Sequence, residues 1–137
     1  MHSIKYIVII TAMLLFIFSA CIRSNADNLS SPAIVWQTIN AVEAHRMMNQ
    51  LSSFILLDVR NAEEYLQNRI NGAVLIPVSE IRQRAEIELP DKNAVILIYC
   101  QGGIRSARAA AVLAELGYIN VYDFGGIANW PYETVRN

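Results

Sequence analysis

The chemistry-bearing stretch is LIYCQGGIRSARAAAVL, Leu97 to Leu113. An apolar run stops at Cys100, two glycines and an arginine follow, and an alanine-rich segment begins. A cysteine that only packs a core has no need of a glycine-rich turn between a strand and a helix. A thiolate nucleophile does, because the free thiol ionises near pH ~8.5 and something must favour the anion. Histidine is the usual partner. This chain has only His2, near the N-terminus, and His45, which reads as a surface residue of the first helix. A Cys-His dyad is therefore disfavoured, and so is a zinc site, for want of ligands.

The backbone is the remaining activator. Residues 101–105, Gln101, Gly102, Gly103, Ile104 and Arg105, can curl around the sulfur with their N–H groups pointing inward. Gly102 and Gly103 permit the φ > 0 geometry of such a nest. A helix starting near Arg105 or Ser106 adds its positive end, and Arg105 adds a charge that never titrates away. This cradle would stabilise a thiolate or a persulfide formed on it, and would bind the anionic oxygens of a small substrate. The alternative is a buried Cys100 beside an ordinary glycine turn. The preceding strand, the following helix and the arginine five positions on favour chemistry.

Positioning the loop falls to alternating strands and helices. FILLDV (Phe54 to Val59), AVLIP (Ala73 to Pro77), AVILIY (Ala94 to Tyr99) and NVYDF (Asn120 to Phe124) read as strands, with AIVWQTI (Ala33 to Ile39) a weaker first one. Several are continuously apolar, as strands covered on both faces are. Asn40 with Glu43, and Asn61 with Glu64, have capping-box spacing at two helix starts. Ser79 is the expected cap of a third helix, ended by Pro90. The fourth carries Ala109, Val112, Leu113 and Leu116 on one face and stops at Gly117. The alternation predicts an α/β domain with a mainly parallel sheet. Ligands of such sheets sit beyond the carboxyl ends of the strands, where Asp58, Cys100 and Gly125 fall.

The 137-residue chain has single-domain length, and its formal net charge of −1 gives no reason to expect nucleic acid as a partner. Lys5 precedes an uncharged apolar run, Tyr6 to Ala20. As a helix it spans about 22 Å, short of the ~30 Å hydrocarbon core, which favours a secretory signal over an uncleaved anchor. Cleavage before Cys21, at FSAC, would leave a lipidated cysteine. Cleavage after Ala26, at SNA, would be ordinary signal processing. The lipoprotein route explains the cysteine and would tie the domain to a membrane through diacylation. The expected organisation is a signal over residues 1–26, a linker over 27–33 and the domain over 34–137. Either route exports the domain, to the periplasm or as a membrane-anchored lipoprotein of a bacterial envelope. Cys100 is then alone, without a partner for an internal disulfide.

Four segments in order are similar to the rhodanese family of thiosulfate sulfurtransferases: LLDVRNAEEY, RINGAVLIP, YCQGGIRSARAA and LGYINVYDFGGIANW. The resemblance implies a five-stranded, mainly parallel sheet with helices on both faces, and Cys100 as the sulfur-accepting nucleophile. It implies that Gln101 to Arg105 form the persulfide cradle and that no dissociable cofactor is needed. The partners it implies are a small anionic sulfur donor such as thiosulfate and a nucleophilic acceptor, cyanide, a thiol or a protein. Asn68-Arg69 stands where the family often has Gly-His, and the loop carries little charge beyond Arg105, with Arg108 one turn on. Asp58, Arg60 and Ser106 are possible supporting residues. For Asp58 and Arg60 the simpler expectation is an ion pair tying strand to helix, and Trp130 reads as packing. A sulfur carrier or redox-sensing module is the alternative function. A phosphatase or arsenate reductase ranks lower, because those relatives use a loop one residue longer between cysteine and arginine.

Overall fold

The computed structural model describes residues 36–136. The expected signal, Cys21, the linker and the first residues of the first strand lie outside the described residues. In chain order the elements are β1 (Gln37–Thr38), α1 (Ala41–Gln50), β2 (Ile55–Asp58), α2 (Ala62–Gln67), β3 (Val74–Leu75), α3 (Ile81–Glu88), β4 (Ile96–Cys100), α4 (Ile104–Glu115) and β5 (Val121–Gly126), with a 3-10 turn over Ile127–Asn129. The strands form one five-stranded sheet in the order β1-β5-β4-β2-β3. Every pairing is parallel.

Side-chain alternation along the central strands splits the core in two. Ile96, Ile98 and Cys100 of β4 pack with Leu57, Ile81 and Ala85 of α3, and Ala109, Ala110 and Leu113 of α4. Leu97 and Tyr99 face the other way, onto Leu56, Ala44 of α1, Phe124, Ile127 and Trp130. All five residues of β4 are buried, which accounts for its unbroken apolar run. Trp130 is packing, as expected, although its indole N–H has no partner among the described residues.

Two helix starts form where their spacing predicts, but only the second closes the capping box, because at the first the Glu43 carboxylate accepts from Arg46 instead of the Asn40 N–H. Asn40 Oδ1 accepts from Glu43 N at 2.8 Å. Asn61 and Glu64 make a reciprocal capping box, at 2.8 and 3.1 Å. The third differs: Ser79 does not cap α3. Glu80 N–H donates to Pro77 O at 2.8 Å, so residues 77–80 form a turn. The helix begins after it, with Glu80 at the cap position and no side-chain cap bond.

The edge that carries the site depends on an irregularity in β5. Ile98 pairs with Asp123 and Cys100 with Gly126, so β5 holds one extra residue between the two pairs. The buried Asp123 carboxylate accepts from Gly125 N–H at 2.9 Å. It thereby satisfies a donor next to the break in the ladder. The extra residue brings Gly126 beside Cys100. Asp123→Ala is expected to cost about 1–3 kcal/mol, the usual penalty of an orphaned buried donor. Asp123→Asn keeps the acceptor and should lose far less. Urea denaturation of the two variants checks this, and equal losses would contradict it.

Candidate active site

β4 delivers Cys100 to the carboxyl edge of the sheet, where the residue is 1% exposed. The chain bends through residues 101–103 and enters α4 at Ile104. Gly103 sits at φ +100°, which turns its N–H back onto the sulfur at 3.0 Å. A residue with a Cβ is strained in that conformation. Gly102 is different from the expectation: its φ is not positive, and a Cβ there would meet nothing within 4 Å. Gly103 alone supplies the left-handed turn of the loop.

Burial by itself would raise the Cys100 thiol. It is outweighed by hydrogen bonds from the Ser106 N–H and hydroxyl and from the Gly103 and Gly102 N–H groups, so the thiol ends below its ordinary value. Ser106 is fully buried and has one hydroxyl proton to place. Its oxygen also lies 2.9 Å from Gly103 O and 3.2 Å from Gly125 O. The proton can serve a carbonyl while the sulfur is neutral and turn to the sulfur when it is anionic.

The loop is held from behind by the end of β5. A Cβ on Gly126 would stand 2.3 Å from Gln101 O and 2.8 Å from Gly102 Cα, so no larger residue fits without moving the loop. Ala128 N–H donates to Gln101 O at 3.2 Å, a second tether.

Two arginines clamp the other side. Arg60 and Asp58 form a buried, multiply bonded ion pair, with Nη2 to Oδ2 at 2.7 Å and Nε to both carboxylate oxygens at 3.0 Å. The expected tie between strand and helix is present: Arg60 Nη2 donates to Asn68 O, at the end of α2, at 2.6 Å. Arg60 Nη1 also reaches Gln101 Oε1 at 3.3 Å, which links the pair to the loop. Removing one member of such a pair costs about 3–5 kcal/mol, because the other charge stays buried alone.

Arg105 does not stand free in the cradle. Its guanidinium meets the Glu64 carboxylate in a bidentate contact, both bonds 2.7 Å. Glu64 therefore has two tasks, capping α2 and holding the loop. Residue spacing gave it only the first. The partners are 41 positions apart, and nothing local links them. The strand order does, because β2 and β4 are neighbours and their following segments emerge side by side. Ile104, at the outer lip, is 78% exposed, and Gln101 is also exposed. His45 departs from its expected place on the surface. It is half-buried, stacked on Tyr132 at 3.7 Å and edge-on to Trp130. That cluster packs on the sheet face opposite the one Cys100 joins.

The Arg105 hydrogen bonds hold the Glu64 carboxyl down at about 2, against a smaller opposing effect of burial and with help from the Asn61 N–H. A carboxylate with a depressed folded value stabilises the fold above its unfolded value, ~4.3, and loses that contribution as pH falls toward the folded one. Thermal unfolding measured between pH ~5 and ~2 should therefore show Glu64→Gln losing less stability than the wild type. Parallel curves would contradict this.

Residues 40–132 match the Rhodanese-like domain family. The chain is 39% identical over 80 residues to the thiosulfate sulfurtransferase PspE of Escherichia coli strain K12, covering 58% of this chain and 77% of that protein. A solved rhodanese with anions from E. coli is 34% identical, with TM-score 0.59, over 62% of this chain and all of that one. The rhodanese-like domain of Alr3790 from Anabaena is 27% identical, with TM-score 0.67, over 75% of this chain and 81% of that one. With the five-stranded parallel sheet and the Cys100 loop at its carboxyl edge, these matches establish that the chain belongs to the rhodanese-like domain family.

Proposed function

We propose that the domain transfers sulfane sulfur from a donor such as thiosulfate to a nucleophilic acceptor, through a persulfide on Cys100. The observation that carries this reading is the set of N–H groups of its own loop, with the Ser106 hydroxyl, converging on the Cys100 sulfur. A cradle made of backbone donors serves a thiolate before the reaction and a persulfide after it, without a change of protonation state in any side chain. Gly102 and Gly103 supply the loop donors of that cradle, Ser106 adds its N–H and hydroxyl, and Asp58 with Arg60 and Glu64 with Arg105 hold it in place.

In the first half-reaction the Cys100 thiolate attacks the outer sulfur of thiosulfate. A bond forms from Sγ to that sulfur, the S–S bond of the donor breaks, and its electron pair leaves on sulfite. In the second half a thiolate or cyanide attacks the terminal persulfide sulfur, and the Cys100 thiolate leaves. Net charge balances in each half, and no cofactor or outside oxidant enters. The depth of Cys100 suits this chemistry, because the terminal sulfur of a donor reaches a sulfur at the base of the loop. The E. coli relative named for thiosulfate sulfurtransferase activity supports the same donor class.

An exported protein is part of the same reading. It rests on Lys5, the apolar run from Tyr6 to Ala20, and the two processing sites, at Cys21 and after Ala26. Intact-mass measurement of the protein purified from its own envelope fraction tests both claims. With thiosulfate, Cys100 should gain one sulfur atom, and cyanide should remove it as thiocyanate, with neither step seen in Cys100→Ser. The mature N-terminus should begin at a lipidated Cys21 or after Ala26. A Cys100 that never gains sulfur would end the transferase reading. A persulfide with negligible turnover would favour the carrier alternative. An uncleaved N-terminus would overturn the processing claim and favour an uncleaved anchor.

A further inference from the structure

The loop meets its donor with little uncompensated side-chain charge. Arg105 is held by Glu64 and Arg60 by Asp58, and these are the cations in hydrogen-bond contact with the loop or belonging to it among the described residues. Arg108 lies one turn along α4, exposed to solvent, where salt screens it. What remains for an anion is the backbone N–H groups and the positive end of α4, equivalent to roughly half an elementary charge. Attack on thiosulfate gathers three negative charges in this space, two from the donor and one from Cys100. Attack on a singly charged donor gathers two. The lip adds a second, independent feature. Ile104 turns most of its surface to solvent directly beside Gly103. A compact hydrated anion gains nothing from that surface, whereas an organic group covers it and removes apolar area from water.

We propose that the preferred donor is a singly charged organic sulfane compound, the persulfide R–S–S⁻ of a small thiol, and that Glu64 sets this preference by neutralising Arg105. The proposal rests on the sulfurtransferase reading above and narrows its substrate class. The Cys100 thiolate attacks the terminal sulfur of R–S–S⁻. The bond from Sγ to that sulfur forms, the S–S bond of the donor breaks, and the electron pair leaves on R–S⁻. One persulfide and one thiolate stand on each side, so no oxidant, reductant or net proton is required. Glu64 is a positioning and charge-setting residue here, since it acts through Arg105 and does not touch the reacting atoms.

Thiosulfonates, R–SO₂–S⁻, are stable singly charged probes of the same step, with a sulfinate as the leaving group. The test follows loading of Cys100 by intact mass in wild type, Glu64→Gln and Ile104→Ser. Its probes are thiosulfate, methanethiosulfonate and benzenethiosulfonate. Gln still serves a capping box, so Glu64→Gln keeps the start of α2 while removing the charge. Comparing probe ratios between proteins cancels the different leaving groups. In Glu64→Gln the loading rate of thiosulfate relative to methanethiosulfonate should rise about tenfold at low salt, and the gain should shrink as salt is added. In Ile104→Ser the benzene compound should lose its advantage over the methane compound by about threefold, a fraction of one buried side chain. A thiosulfate ratio unchanged in Glu64→Gln would overturn the proposal while leaving sulfur transfer intact. Failure of every probe to load Cys100 would overturn both.

Discussion

The convergence of N–H groups on the Cys100 sulfur is the interaction the rest of the structure serves. Burial at the end of β4 opposes the anion, and the donors of Gly102, Gly103 and Ser106 reverse that opposition. This works only if the donors are already in place, because a loop that had to rearrange would lose the benefit of a fixed polar environment. Gly103 turns the backbone, and the bulge in β5 then sets Gly126 against Gln101 so closely that the loop has one position. The buried Asp123 carboxylate satisfies Gly125 N–H at that bulge. A packing feature of the last strand is thus part of what holds the Cys100 loop.

The opposite side of the loop is fixed by charge. Asp58–Arg60 ties the end of β2 to α2 and to Gln101, and Glu64–Arg105 ties the first turn of α2 to the first turn of α4. Both pairs join segments that follow adjacent strands, so the sheet order itself makes them possible. Their cost is electrostatic. Each arginine that braces the loop is neutralised by its brace, which leaves dipoles more than full charges around the Cys100 sulfur.

Much of this was readable in the residue order. Unbroken apolar runs marked the buried central strands. Asn40 and Asn61 marked two helix starts, and Cys100 stood at a strand-to-helix junction. What escaped were relations between distant segments. Glu64 looked complete as a capping residue, and its contact with Arg105 depends on β2 lying beside β4. Asp123 carried no signal, since a bulge is a mismatch between two strands and neither strand shows it alone. Ser79 misled because the turn closed by Pro77 and Glu80 occupies the residues before α3. Gly102 and Gly103 look equivalent as letters, and only the backbone shows that one of them needs to be glycine. His45 looked like a surface residue because its stacking partner, Tyr132, lies far along the chain.

The central claim is that loop donors, without a histidine, make Cys100 an anion. Titration of the thiolate ultraviolet absorbance of the purified protein tests it directly. The midpoint in the wild type should fall below the ordinary thiol value of ~8.5. In Ser106→Ala, which removes the hydroxyl donor and leaves the N–H, it should move up. A wild-type midpoint at or above the ordinary value, or one indifferent to the loss of the Ser106 hydroxyl, would contradict the account.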